Sequence, residues 1–178
     1  MANKLDIAQL GADVIRKNAT EVIDIDSSTT QKFIDDVMHT CKIEKGMGIA
    51  APQVYQSRSI FIMSSEPNER YPNALKMEPV AIINPKIIFQ SKEKIKDWEG
   101  CLSLPGIRAL VPRYKKIDVS YTNRNGEEVN KVFEGFLARI FQHEFDHLNG
   151  TVFIDRVEST QDIVMEAEYY RIIKSFSE

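Results

Sequence analysis

Phe136-Leu137-Ala138-Arg139-Ile140-Phe141-Gln142-His143-Glu144-Phe145-Asp146-His147-Leu148 reads as a helix that is apolar on nearly every side. Such a helix belongs in the middle of a protein, with other elements around it. Its polar residues then need a reason, because burying imidazoles and carboxylates without a purpose is costly. His143-Glu144-Phe145-Asp146-His147 supplies the reason, since it has the form His-Glu-x-x-His. Histidines at i and i+4 project from one helical face and can grip a single metal ion. Glu144 lies beside them, where a carboxylate can move a proton to or from a water that the ion polarises. Gly150 suits the end of the helix.

Outward from this helix the pattern is mostly extended. Arg58 to Met63, Val80 to Asn84, Lys86 to Phe89, Arg108 to Pro112 and Ile117 to Tyr121 predict strands. Asn125-Gly126, between Val119-Ser120-Tyr121 and Glu128 to Phe133, predicts a hairpin. Ser64 to Glu78, with Pro67 and Pro72, reads as a longer surface loop. Upstream, Ser27-Ser28-Thr29-Thr30 caps a predicted helix running to about Lys45. Phe33, Ile34, Val37, Met38 and Cys41 form its buried side, and Gly46 its stop. His39 on that helix has no ligand-like neighbour and reads as an ordinary histidine. A second, more polar helix is expected after Thr160. The expected fold is α+β, with antiparallel strands packed around the central metal-binding helix.

The totals agree with one catalytic domain over residues 1–178. A 43% hydrophobic and 28% charged composition is ordinary for a globular chain, and the net charge of −3 offers no reason to expect direct nucleic-acid binding or an anionic membrane partner. No apolar run is long enough to span a bilayer, and the N-terminus has neither a signal-peptide core nor transit character. Two cysteines do not make a disulfide framework and fit a reducing, cytoplasmic compartment.

Two histidines leave a catalytic metal one protein ligand short. In the extended metalloprotease pattern Gly150 matches, but Phe153 stands where the next histidine would be. A downstream carboxylate, Glu166 or Glu168, is at zincin-like spacing. Upstream, Cys101 in Glu99-Gly100-Cys101-Leu102-Ser103 offers a thiolate, although most free cysteines are small buried hydrophobes. Gly46-Met47-Gly48-Ile49-Ala50-Ala51-Pro52-Gln53 is rich in small residues. It reads equally as backbone meeting a ligand or as a helix stop with a tight connection.

Taken together, Gly46 to Gln53, Glu99 to Ser103 and Gln142-His143-Glu144-Phe145-Asp146-His147-Leu148-Asn149-Gly150 resemble, in order and spacing, the three signature motifs of peptide deformylases. The resemblance extends over Arg108 to Arg113 and Val152 to Arg156. It implies a peptide deformylase-like fold and an enzyme that removes the formyl group from the N-terminal methionine of nascent polypeptides. Position by position it implies Cys101, His143 and His147 as metal ligands and Glu144 as general acid and base. It also implies Gln53 and the Leu102 N–H as oxyanion donors. One divalent ion is implied, natively ferrous iron, with zinc, nickel or cobalt able to take its place. The N-formylmethionyl peptide should lie extended between Met47-Gly48 and Gly100, with its methionine in an apolar pocket of Ile49, Phe136, Ile140 and His143. Asp146 is expected to pair with Arg108 or Arg113, and Glu99 to orient the Cys101 loop. Work close to the ribosome is expected. Two departures from the family pattern are Leu10-Gly11-Ala12-Asp13, where a proline is common, and the non-basic end Ser175-Phe176-Ser177-Glu178.

Overall fold

The computed structural model describes residues 2–67 and 74–175. Among the described residues, eight strands and three α-helices run in the order α1 (Ser28–Ile43), β1 (Gly48–Ala50), β2 (Ile60–Ser65), β3 (Met77–Gln90), β4 (Lys94–Cys101), β5 (Leu104–Tyr114), β6 (Lys116–Thr122), β7 (Glu128–Glu134), α2 (Gly135–Leu148), β8 (Ile163–Met165) and α3 (Glu166–Ser175). One antiparallel sheet has the order β1-β2-β3-β6-β7, and a smaller one the order β4-β5-β8.

Strand alternation sorts the core. In β2, Ile60 and Ile62 face one way with Ile49, Ala81 and Ile83, and receive Ile34, Val37 and Cys41 of α1. Phe61 and Met63 face the other way with Ala50 and Ile82, and receive Ala138, Phe141 and Leu148 of α2. The larger sheet is thus covered by α1 on one face and α2 on the other. A third cluster, with Ile15, Ala109, Val111 and Phe153, fills the space beneath the smaller sheet. Helix α2 touches β1 and β2 on one side and β5 on the other, so antiparallel strands surround it as its composition requires.

Ser27 caps α1, its side chain accepting from the Thr30 N–H at 3.1 Å. The left-handed residue that ends this helix is Lys45 (φ 52°), not Gly46. The two strands expected on either side of Pro85 are one strand, β3. Asn84 turns to φ 49° and the register shifts between Ile83 and Lys86, because proline has no N–H for the ladder. The Asn125-Gly126 hairpin joins β6 to β7, but through a longer loop than a two-residue turn. The Asn123 carboxamide accepts from the N–H groups of Asn125 and Glu127, and Gly126 takes φ 80°. Ser64 and Ser65, expected in the loop, end β2, while Met77 and Glu78 begin β3; residues 68–73 of that loop lie outside the described residues. From Thr160 the chain makes a 3-10 turn to Asp162, pairs Ile163–Met165 with β5, and only then enters an α-helix. Strand β4 carries no apolar alternation in Lys94-Ile95-Lys96-Asp97, because these residues lie exposed along the edge of the smaller sheet. No helix among the described residues is long and apolar enough to cross a membrane.

Candidate metal centre

Three elements converge beside α2. Strand β4 ends at Cys101, α2 carries His143, Glu144 and His147, and a 3-10 turn over Ala51–Val54 carries Gln53 directly after β1. The sulfur of Cys101 and one nitrogen of each histidine lie within 4.8 Å of one another. Cys101 Sγ is 3.3 Å from His147 Nε2. Ligand bonds of about 2.3 Å to sulfur and 2.0 Å to nitrogen at a tetrahedral angle put such a pair roughly 3.5 Å apart, so the donor set fits one divalent ion. Glu166 and Glu168 are engaged elsewhere, with Arg108 and Arg171 respectively, and His39 stands on α1 outside the cluster.

The neighbours of each donor fix its direction. Gln53 Nε2 donates to Cys101 Sγ at 3.3 Å and to Ser103 Oγ at 3.2 Å, while its Oε1 accepts from the Ala50 N–H at 2.8 Å. His143 Nδ1 is 2.8 Å from Glu99 Oε2, which leaves its other nitrogen for the cluster. Glu99 accepts from Arg113 Nε and Nη2 at 2.9 and 3.0 Å and from Arg139 Nη1 at 2.8 Å. Arg113 reaches on to Asp146 at 2.5 Å, and Arg156 donates to both oxygens of the same carboxylate at 2.7 and 3.1 Å. Of the two partners expected for Asp146, Arg113 is present and Arg108 is not. Glu99 acts more directly than expected, through His143. The sequence reading missed Arg139, Arg156 and Ser103. The signal for Arg139 was there: it is the lone cation of an apolar helix, one turn before His143.

Burial shapes the charges. It drives the His147 imidazole well below its ordinary value, so the ring is a neutral donor. Against burial, Arg113 and His143 hold the Glu99 carboxyl well below the usual carboxylate range. Burial pushes the Glu144 carboxyl up to about 7, Glu99 adding to the effect and His143 and Arg113 opposing it. Glu144 is 4% exposed, and its Oε2 has no hydrogen-bond partner among the described residues. A buried carboxylate oxygen left open beside three metal donors is placed to serve a water or a substrate.

A cavity of about 430 Å³ opens onto this cluster. Met47, Gly48, Gly100, Phe136, Ile140 and His143 line it, together with Gln53, Cys101, Leu102 and Glu144. Ile49, expected in the methionine pocket, does not reach it. Alternation along β1 turns Gly48 to the cavity and Ile49 away, into the α1 face of the core, where it is fully buried.

Comparison with known proteins gives this geometry a family. The sequence profile of polypeptide deformylase matches residues 4–162. Peptide deformylase 2 of Nostoc sp. is 52% identical over 95% of this chain and 94% of its own length. Peptide deformylase 2 of Shewanella oneidensis is 43% identical over 92% and 90%. Among solved structures, the Met-Ala-Ser-bound class I type b peptide deformylase of Acinetobacter baumannii has a TM-score of 0.86 at 42% identity, covering 88% of this chain and all of that one. The peptide deformylase of Thermotoga maritima has a TM-score of 0.79 at 39% identity, covering 88% of this chain and 99% of that one. A profile match over most of the chain, with identities this high, establishes that the chain belongs to the polypeptide deformylase family.

Proposed function

We propose that Cys101, His143 and His147 hold one divalent ion and that Glu144 carries the protons of the reaction. As a peptide deformylase, the protein is a metal-dependent hydrolase that removes the N-formyl group from the formylmethionine of nascent polypeptides. The observation that carries the assignment of residues is the convergence of one sulfur and two imidazoles with an open, buried carboxylate lining a cavity. The ion, when bound, supplies a lowered pKa for a coordinated water and polarisation of the formyl carbonyl. Glu144 takes a proton from the attacking water and delivers it to the departing amine. The water oxygen joins the formyl carbon, the carbon–nitrogen bond breaks, and formate and a free N-terminal methionine leave. Charge that develops on the formyl oxygen is met by the Leu102 N–H and by the Gln53 carboxamide, which gives up its hydrogen bond to Cys101 Sγ or Ser103 Oγ to donate there, each such donor being worth about 3 kcal/mol of barrier.

Strand β1 is an edge of its sheet, and Gly100 lies next to the end of β4. An extended peptide between Met47-Gly48 and Gly100 can therefore add as a strand, its methionine against Phe136, Ile140 and His143. A solved relative has Met-Ala-Ser bound, a peptide that begins with methionine, which supports a substrate of this class. A soft thiolate with two imidazoles suits ferrous iron, which we assign as the native ion, and also accommodates zinc, nickel or cobalt. Two free thiols, Cys41 and Cys101, support a cytoplasmic location, and a nascent-chain substrate puts the work close to the ribosome.

The test is formate release from N-formyl-Met-Ala-Ser by nickel-loaded protein, with the N-acetyl peptide as control. Rapid release from the formyl peptide alone is expected. Cys101→Ala should lose the metal, read by elemental analysis. Glu144→Gln should keep it and lose about a hundred- to ten-thousand-fold in rate. Undiminished turnover in Glu144→Gln would remove the carboxylate from the mechanism.

A further inference from the structure

The carboxamide beside the metal donors is itself held on three sides. Gln53 Oε1 accepts from the Ala50 N–H at 2.8 Å. A backbone N–H can only donate, so this bond fixes which end of the carboxamide is oxygen. The amino end therefore faces the connection between β4 and β5, where its hydrogens meet two acceptors, Cys101 Sγ at 3.3 Å and Ser103 Oγ at 3.2 Å. These acceptors differ in access. Cys101 lines the cavity; Ser103 is fully buried and does not. Ser103 also has little freedom to move. Its N–H donates to Cys101 Sγ at 3.4 Å, and its carbonyl accepts from the Leu10 N–H at 2.9 Å. The Gln53 carbonyl accepts from the Ala8 N–H at 2.8 Å, so one N-terminal segment ties down both residues.

We infer that Ser103 is a positioning residue for the reaction: its hydroxyl holds one Gln53 N–H away from the cavity, so that the other aims at the formyl oxygen. The inference rests on the deformylase reading, because it takes Gln53 as an oxyanion donor. A formyl oxygen arriving through the cavity reaches the hydrogen on the Cys101 side and not the one on the buried Ser103 side. The bond to Cys101 Sγ is then the one exchanged, and the bond to Ser103 Oγ is kept throughout. A glutamine side chain has much rotamer freedom to lose, and a donor stabilises a transition state best when it is already aimed as the charge appears. Without the serine hydroxyl only the Ala50 N–H and the sulfur would hold the carboxamide, and the sulfur bond is the one the substrate must displace.

The experiment is a double-mutant cycle on nickel-loaded protein, in which wild type, Ser103→Ala, Gln53→Ala and the double variant turn over formyl-Met-Ala-Ser. Ser103→Ala should lower kcat roughly tenfold and leave KM and metal content at wild-type levels. Its affinity for the product Met-Ala-Ser, which has no formyl oxygen, should not change either. Gln53→Ala should lower kcat about a hundredfold. In the Gln53→Ala background the serine change should cost less than about twofold, because no carboxamide is left to aim. A serine that serves only packing would cost the same in both backgrounds. NMR of zinc-loaded protein gives a second reading with no turnover in it, the Gln53 carboxamide signals being identified by their loss in Gln53→Ala. Those hydrogens should exchange with solvent roughly tenfold more slowly in wild type than in Ser103→Ala. An additive cycle, or a wild-type Gln53 carboxamide that exchanges as fast as an exposed one, overturns the inference and leaves the deformylase reading intact. No turnover by metal-loaded wild type would overturn that reading and this inference with it.

Discussion

A β-carbon on Gly48 would stand 2.5 Å from Oε1 of Glu144 and 2.7 Å from its Cδ, closer than side chains pack. Glu144 borders the cavity, so its carboxylate relieves the clash only by leaving its place beside the three donors. Gly48→Ala should therefore displace the carboxylate and lower kcat by about a hundredfold, the scale of an ångström's misplacement of a catalytic group. Metal content should stay at the wild-type level, since the three atoms nearest the new methyl all belong to Glu144; a metal assay beside steady-state kinetics checks both. Local sequence makes His143, Glu144 and His147 legible because helical geometry alone brings i and i+4 together. It leaves Cys101, Glu166 and Glu168 as rivals, because a ligand from another element is chosen only by how the elements pack. The small residues from Gly46 to Ala51 were ambiguous for the same reason: the atom that Gly48 makes room for lies 96 residues further along the chain.

Arg139 of α2 is a buried cation that helps hold the helix to the smaller sheet. Arg139 donates to the Val111 carbonyl at 2.8 Å and the Ile95 carbonyl at 2.6 Å, besides Glu99. Arg139→Met keeps the length of the side chain but removes every one of these donors. It should destabilise the fold by about 3 kcal/mol, read as a lower urea midpoint, since buried acceptors then lose their partner. Burial of an arginine in an apolar helix was visible in the sequence; the carbonyls that receive it were not, because they belong to strands more than twenty residues away in the chain. α1 and β6, whose two faces differ, were read well, as was β2, whose apolar run is buried on both faces. Strand β4 went unread because its outer residues are charged and exposed, and β8 because three residues paired to β5 have no period of their own.

The N-terminal segment closes the molecule around the site. The Ala8 N–H donates to the Gln53 carbonyl and the Leu10 N–H to the Ser103 carbonyl, while the Ala19 N–H donates to the Leu148 carbonyl at the end of α2. Arg16 clamps the segment to Asp155, which also accepts from the Val152 N–H at 2.9 Å. Burial works against the Asp155 carboxylate, but Arg16 and the Val152 N–H hold its pKa below the ordinary value. A carboxyl depressed on folding contributes stability above its unfolded pKa, and that contribution is lost as pH falls through the lower folded value. Thermal midpoints of Asp155→Asn should therefore lie below wild type above about pH 5 and converge with it below about pH 3. A constant gap down to that pH would show that the aspartate's charge is not what stabilises this closure.

The helix that carries His143 and His147, the face they share, the carboxylate beside them and the alternation of the strands were determined by the sequence itself. Each depends on residues a few positions apart, whose relation the backbone period sets. Tertiary structure decided that the Cys101 sulfur comes within 4.8 Å of both imidazoles, that Ile49 turns into the core while Gly48 meets the cavity, and that Glu166 answers Arg108. Each of those outcomes depends on which strand lies beside which, and that is settled by burying the whole apolar surface at once.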